Sequence, residues 1–262
     1  QGVNRFDQFL VGTYFNAALL GIFYKAKDFN MMLTRMVSVT ITKSLFPVFS
    51  KLQDDKEQFQ KLFNQALTNV EIVSFAIFGV VAFSSEAAIG LVLGEQWLPM
   101  VPYFQVLCLF GVVYVQNSLF INVNNSLGKT RVVFRTNLVS ASFRIVTLLL
   151  LVFTVENISP LWFIVVQIVF MILVSIYLNY FIKVKNGIDV TNVGRFINYG
   201  LVLVLITGVL FIGRYFETDN VYLEAIYKSS LFIIPYLGVS YFINKNSIVH
   251  LGFNKLISKW SN

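Results

Sequence analysis

The sequence predicts an all-α integral membrane protein with about eight transmembrane helices. Eight hydrophobic stretches, each close to the width of a bilayer, follow one another along the 262 residues: 8–24, 30–49, 65–84, 99–122, 131–154, 160–182, 196–213 and 228–243. A helix needs about 20 mostly apolar residues to cross a hydrocarbon core about 30 Å thick, and in lipid its backbone groups must be paired within the helix. Hydrophobic residues make up 56% of the chain and charged residues 13%, so little of it remains for a water-soluble domain.

The first six stretches carry polar stripes, whereas the last two are nearly free of ionisable groups. An ionisable group at mid-membrane costs about 2.5–3.5 kcal/mol, so each one is a candidate functional residue. Arg35 and Lys43 are eight residues apart and lie on broadly the same side of the second helix. Six inward-facing stripes would enclose a wet, cationic cavity that suits a phosphate or pyrophosphate. The candidate binding residues are Arg35, Lys43, Arg144, Gln116, Asn117 and Asn124.

Several of the polar residues in these stretches also have a structural interpretation. Arg35 can extend to lipid headgroups, and the Asn side chains can hydrogen-bond neighbouring helices. Glu71 is a candidate for ion coupling, or it neutralises a cation on the second helix. Asp7 is either a second coupling site or a charge at a helix end. The only histidine, His250, lies in the tail and the only cysteine, Cys108, in an apolar stretch, so we predict no catalytic group, metal site or cofactor.

The connections between the stretches predict an orientation and a division of the chain. If the first helix starts in the cytoplasm, the cytoplasmic connections hold most of the Lys and Arg, as the positive-inside rule requires, and the C-terminus is cytoplasmic. This placement explains the net charge of +7 better than a nucleic-acid partner does. The linker-like segment 183–195 separates a six-helix lobe (1–187) from a terminal pair and a tail (188–262). Segment 50–66 and the tail predict amphipathic helices lying on membrane lipids.

Four motifs occur in order along the first half of the chain. They are DQFLVGTYFNAALLGIFYKA (7–26), LFPVFSKLQDD (45–55), LGEQW (93–97) and SLGKTR (126–131). Together they resemble the second half of the bacterial polysaccharide or O-antigen repeat-unit flippases (Wzx-type oligosaccharide-lipid exporters) of the multidrug/oligosaccharidyl-lipid/polysaccharide superfamily. The resemblance covers most of residues 5–185.

The resemblance implies a fourteen-helix transporter in the bacterial inner membrane. This chain would form its C-terminal six-helix lobe and its last two helices, and the N-terminal lobe of the same protein would complete the cavity. The implied activity moves polyprenyl-pyrophosphate-linked oligosaccharides across the membrane for lipopolysaccharide or exopolysaccharide synthesis, driven by a coupling ion such as H⁺ or Na⁺.

Three other classes of protein remain as alternatives. A multidrug and toxin extrusion carrier shares the architecture, but it mostly takes organic cations, which a basic cavity suits poorly. A lipid II flippase is closer in chemistry. A membrane glycan polymerase or ligase would need a large outward loop with catalytic groups, whereas the predicted outward loops are short. We therefore expect a transporter rather than an enzyme.

Overall fold

The computed structural model describes residues 17–154, 159–187, 193–213 and 220–243. In these ranges the chain forms eight α-helices and one 3-10 helix, which confirms the all-α class. The helices are α1 (Ala17–Lys51), α2 (Lys56–Phe83), α3 (Ser85–Leu93), the 3-10 helix η1 (Glu95–Met100), α4 (Val101–Ser126), α5 (Thr130–Thr154), α6 (Leu161–Asn186), α7 (Val193–Gly213) and α8 (Val221–Ile243).

The chain is a multi-pass membrane protein by the length and composition of its helices. Within the described ranges, four segments are long and apolar enough to cross a membrane: Lys56–Phe83, Glu95–Ser126, Thr130–Leu150 and Leu161–Val184. A shorter apolar helix covers Tyr199–Ile212. Helix α1 is not among these segments, and it carries six charged residues: Lys25, Lys27, Asp28, Arg35, Lys43 and Lys51.

Helix α1 corrects the predicted break between the first two stretches. The charged segment 25–29 was expected to be a connection, but α1 runs unbroken through it for 35 residues, which is about 52 Å. Tertiary contacts hold the charges in the helix: Lys27 is buried, and the Lys25 ammonium lies 5.4 Å from the centre of the Trp97 ring. A cation over an indole face is stabilised by the ring electrons, so the charge does not end the helix.

Helix α4 is the centre of the fold. It packs against α1, α2, α5 and α6, and more than half of its residues are buried. Ring contacts fasten α1 and α2 to it, with centroids 5.5 Å apart for Phe29 and Phe104 and 6.0 Å for Phe63 and Phe120. The other helices are therefore arranged around a buried apolar column.

The helix predicted at 50–66 forms from Lys56 onward, but its predicted position on the membrane surface is wrong, because its apolar side packs inside the protein. Helix α1 ends at Lys51, and α2 starts after Asp55, whose carboxylate accepts a hydrogen bond from the backbone N–H of Gln58 at 3.0 Å. Phe59 and Phe63 are buried, and the Phe59 ring lies 5.2 Å from that of Phe49. The amphipathic spacing of these residues therefore reflects packing against the protein rather than against lipid. The predicted tail helix lies outside the described residues.

The terminal helices α7 and α8 pack against each other, and α8 packs along α2. Gly79 makes this approach possible, because a Cβ at this position would lie 2.1 Å from the Phe232 ring. The Ser229 hydroxyl also donates to the Val80 carbonyl at 3.4 Å. The division into a lobe and a terminal pair stays a prediction, and in this structure the pair is docked on α2.

Candidate functional site

Arg35 and Lys43 lie on the exposed side of α1. The opposite side of this helix is buried and includes Phe23, Asn30 and Thr34. With 3.6 residues per turn, the two cations fall away from that buried stripe. Ser38, between them in the sequence, is buried, and the Thr42 hydroxyl donates to the backbone carbonyl of Val39. Arg35 therefore lies near the middle of α1 and Lys43 in its C-terminal half. Both are on a surface of the helix that no other described residue covers.

Arg144 lies half-buried on α5, which packs against α4 and α6. Its Nε atom is buried inside the protein. Because α1 and α5 both pack against α4, the third predicted cation belongs to a helix on the same central column as Arg35 and Lys43. It differs from them in being partly enclosed by protein.

Glu71 is the one buried acidic residue in the part of the chain that the structure describes. Its side chain is only 1% exposed, and the Tyr199 hydroxyl lies 3.1 Å from Oε1. The same hydroxyl lies 2.9 Å from Oε1 of Gln116. These contacts join three helices (α2, α4 and α7) at one point, which brings together two predicted site residues, Glu71 and Gln116. We call this cluster the Glu71–Tyr199–Gln116 network.

The network can hold a proton in two ways. A tyrosine hydroxyl has a single proton, yet here it faces two acceptor oxygens. If Glu71 is protonated, it donates to Tyr199 Oη and Tyr199 donates to Gln116. If Glu71 is ionised, a half-turn of the Gln116 amide lets its Nε2, which has no hydrogen-bond partner among the described residues, donate to Tyr199, and Tyr199 then donates to Glu71. The same three side chains therefore satisfy both forms of the carboxyl group by reversing the direction of the hydrogen bonds.

Asn117 and Asn124 face the protein interior. Asn117 Nδ2 donates to the backbone carbonyl of Met171 on α6 at 2.9 Å, and Asn124 Nδ2 donates to the carbonyl of Phe120 on α4 at 2.8 Å. Both residues are buried. In this geometry their amide nitrogens hydrogen-bond the protein itself. Their predicted contacts with sugar hydroxyls stay a prediction. Asp7 lies outside the described residues.

The sequence argument missed Tyr199 and misplaced Lys27. Tyr199 lies in an apolar helix, and its hydroxyl needed a partner there, which was an available signal. Its ring also packs edge-on against that of Phe75, with centroids 5.4 Å apart. Lys27 was assigned to an outer connection, but it is a buried residue on the same side of α1 as Asn30 and Thr34.

Residues 1–102 match a protein family described as "Polysaccharide biosynthesis protein". The chain is 39% identical over 74 residues to the lipopolysaccharide biosynthesis protein WzxC of Escherichia coli, a segment that is 28% of this chain and 15% of that protein. It is 38% identical over 78 residues to an uncharacterized membrane protein in the cps region of Klebsiella pneumoniae, which is 29% of this chain and 16% of the relative.

A further relative is the teichuronic acid biosynthesis protein TuaB of Bacillus subtilis, with 28% identity over 109 residues, or 42% of this chain and 23% of that protein. The matched segments thus span less than a quarter of the length of these relatives. No solved structure matches the chain. The predicted resemblance to Wzx-type membrane proteins of bacterial polysaccharide biosynthesis is confirmed, over the part of the chain that these matches cover.

Proposed function

We propose that this chain is the C-terminal part of a flippase that moves polyprenyl-pyrophosphate-linked oligosaccharides across the bacterial inner membrane. The proposed activity is transport, not catalysis. The similarity to polysaccharide biosynthesis proteins supports the kind of cargo. In the proposed transporter the C-terminus is cytoplasmic, and an N-terminal lobe faces α1 across the central cavity.

The observation that carries this proposal is the exposure of Arg35 and Lys43 on α1. Arg35 is at the midpoint of the 35-residue helix, so a membrane around that helix places the guanidinium deep within the bilayer. A cation at that depth is costly against lipid and is retained where it faces a wet cavity or an anionic group. Guanidinium and ammonium groups bind pyrophosphate through charge-assisted hydrogen bonds. These two cations therefore suit the charged head of the cargo.

The Glu71–Tyr199–Gln116 network supports coupling to protons. A buried carboxyl group that keeps its hydrogen bond to Tyr199 in both protonation states can gain and lose a proton without losing that partner, a loss that would cost about 1–3 kcal/mol. The network also connects α2 and α4 of the lobe to α7 of the terminal pair. A proton is therefore the coupling ion that we propose, because the network accommodates both protonation states of Glu71.

The test uses the full-length protein in its own bacterium. After depletion, spheroplasts are treated with a membrane-impermeant reagent that oxidises sugars, which marks the oligosaccharide-lipids of the outer leaflet. We expect that depletion leaves them unlabelled, and that Arg35→Ala and Lys43→Ala reproduce this loss at normal protein levels. Lys51→Ala is the matched control, because Lys51 is an exposed cation at the end of the same helix. Normal labelling after depletion would show that another protein moves the cargo.

A further inference from the structure

A groove between α5 and α6 lies outside the proposed transport site. It has a volume of about 550 Å³ and is lined from α5 by Arg135, Val139 and Phe143 and from α6 by Phe170, Leu173 and Tyr177, among others. This volume is within the range of about 300–1,000 Å³ that is usual for sites that bind small molecules. Its walls are mainly apolar, so its occupant needs a large apolar part.

The groove opens to the outer surface of the helix bundle. Only 11% of the apolar segment of α5 is buried inside the protein, compared with 50% for the segment that contains α4. Val139, Phe143 and Leu173 on the walls are each more than half exposed. In a membrane, a surface of this kind contacts lipid chains, since no water is present there to be excluded.

One end of the groove is strongly basic. Helices α5 and α6 are consecutive and pack against each other, so the start of α5 lies beside the end of α6. Arg135 lines the groove at this end, opposite Tyr177. Lys129 and Arg131 are exposed just before it, and Lys183 is exposed on α6 beyond Tyr177. Neither 129–154 nor 161–186 contains an Asp or Glu, so both helices have a net positive charge.

We propose that this groove binds an anionic diacyl phospholipid of the membrane. The lipid phosphate lies against the Arg135 guanidinium, and one acyl chain occupies the apolar walls toward Phe143 and Phe170. From Arg135 to Phe143 the groove follows eight residues of helix, or about 12 Å, so it accommodates the upper part of an acyl chain. Basic pockets between membrane helices are suited to anionic headgroups, and a cation at the headgroup contributes about 1 kcal/mol.

The bound lipid would fill the gap beside α5, whose apolar segment is the least buried of the four membrane-length segments, and would stabilise the contact between α5 and α6. A ligand that binds only the folded state raises stability in proportion to the logarithm of its concentration over its Kd. The inference requires only that the chain spans a membrane. It does not depend on transport, so a failed transport assay leaves it untouched.

The test measures lipid retention by the full chain in detergent with native mass spectrometry. Phosphatidylglycerol is titrated against phosphatidylcholine with the same acyl chains. We expect selective retention of phosphatidylglycerol and about a five-fold weaker apparent Kd in Arg135→Gln, which corresponds to about 1 kcal/mol. Lys51→Gln is the charge control, because Lys51 is an exposed cation at the end of α1 and does not line the groove.

A second pair of variants tests the apolar part of the groove without changing its charge. Val139→Trp places a larger side chain in the groove and should weaken retention of phosphatidylglycerol, whereas Val146→Trp, also exposed on α5 but outside the groove, should not. Equal retention of both lipids, equal losses in Lys51→Gln and Arg135→Gln, or full retention by Val139→Trp would each overturn the proposal. Displacement of phosphatidylglycerol by a polyprenyl pyrophosphate in an Arg135-dependent manner would assign the groove to the cargo and overturn it as well.

Discussion

Removing a single hydroxyl group, in Tyr199→Phe, tests whether the Glu71–Tyr199–Gln116 network holds the terminal pair on the lobe. The substitution deletes the contacts of 3.1 Å to Glu71 and 2.9 Å to Gln116. It keeps the ring, so the edge-on contact with Phe75 remains. Any loss of stability therefore reports the hydrogen bonds rather than the packing.

The expected loss is about 1–3 kcal/mol of the free energy of unfolding. Hydrogen bonds between membrane helices average about 0.6 kcal/mol and reach about 1.7, and bonds to a charged group contribute about 1.5–3. Two bonds are removed, one of them to a carboxyl group that is 1% exposed. Water cannot easily replace the missing donor at that depth, which favours the upper part of the range.

The assay is a denaturant titration of the full chain in mixed micelles, followed by the loss of helical circular dichroism. Tyr222→Phe is the matched control, because Tyr222 is exposed on α8, and exposed substitutions usually change stability by less than about 0.5 kcal/mol. The double variant Glu71→Leu/Tyr199→Phe completes a thermodynamic cycle. Residues that share hydrogen bonds usually show coupling energies of about 0.5–3 kcal/mol.

Two results would refute the reasoning. A loss in Tyr199→Phe no larger than that in Tyr222→Phe would show that the hydroxyl contributes nothing to docking. A double variant whose loss equals the sum of the two single losses would show that Glu71 and Tyr199 act independently. In either case the network could not couple the protonation of Glu71 to the position of α7.

Three further substitutions follow from the packing, and the same titration measures each. Gly79→Leu should destabilise the chain by about 1–3 kcal/mol, because the new side chain overlaps the Phe232 ring; Gly208→Leu, where the space is open, is its control. Asn117→Leu removes the bond to the Met171 carbonyl and should cost up to about 1.7 kcal/mol; a loss of transport without a loss of stability would instead indicate a contact with the cargo. Asp55→Ala removes the cap of α2 and should cost about 0.5–2 kcal/mol, whereas the exposed neighbour Asp54→Ala should change little.

Periodicity and charge placement allowed much of the fold to be predicted, but not the helix boundaries that depend on distant contacts. The segment 25–29 contains three charges, which locally indicate a connection, yet Trp97 and the interior packing of Lys27 keep it helical. In the same way, the spacing of Phe59 and Phe63 is equally suited to a lipid surface and to a protein core. Only the position of the Phe49 ring, 5.2 Å from that of Phe59, decides between them.

The sequence by itself determined the class of the protein and which ionisable groups lie within its apolar stretches. A chain this apolar must pair its backbone within helices, and charges such as Arg35 and Glu71 are visible in an apolar stretch because they are costly there. The tertiary structure alone decided which way each group faces. Arg35 is exposed whereas Ser38, three residues on, is buried, and Glu71 meets a tyrosine 128 residues away. No local pattern encodes such a contact, because it forms only when three helices bury their polar side chains together and each of those groups must then find a partner.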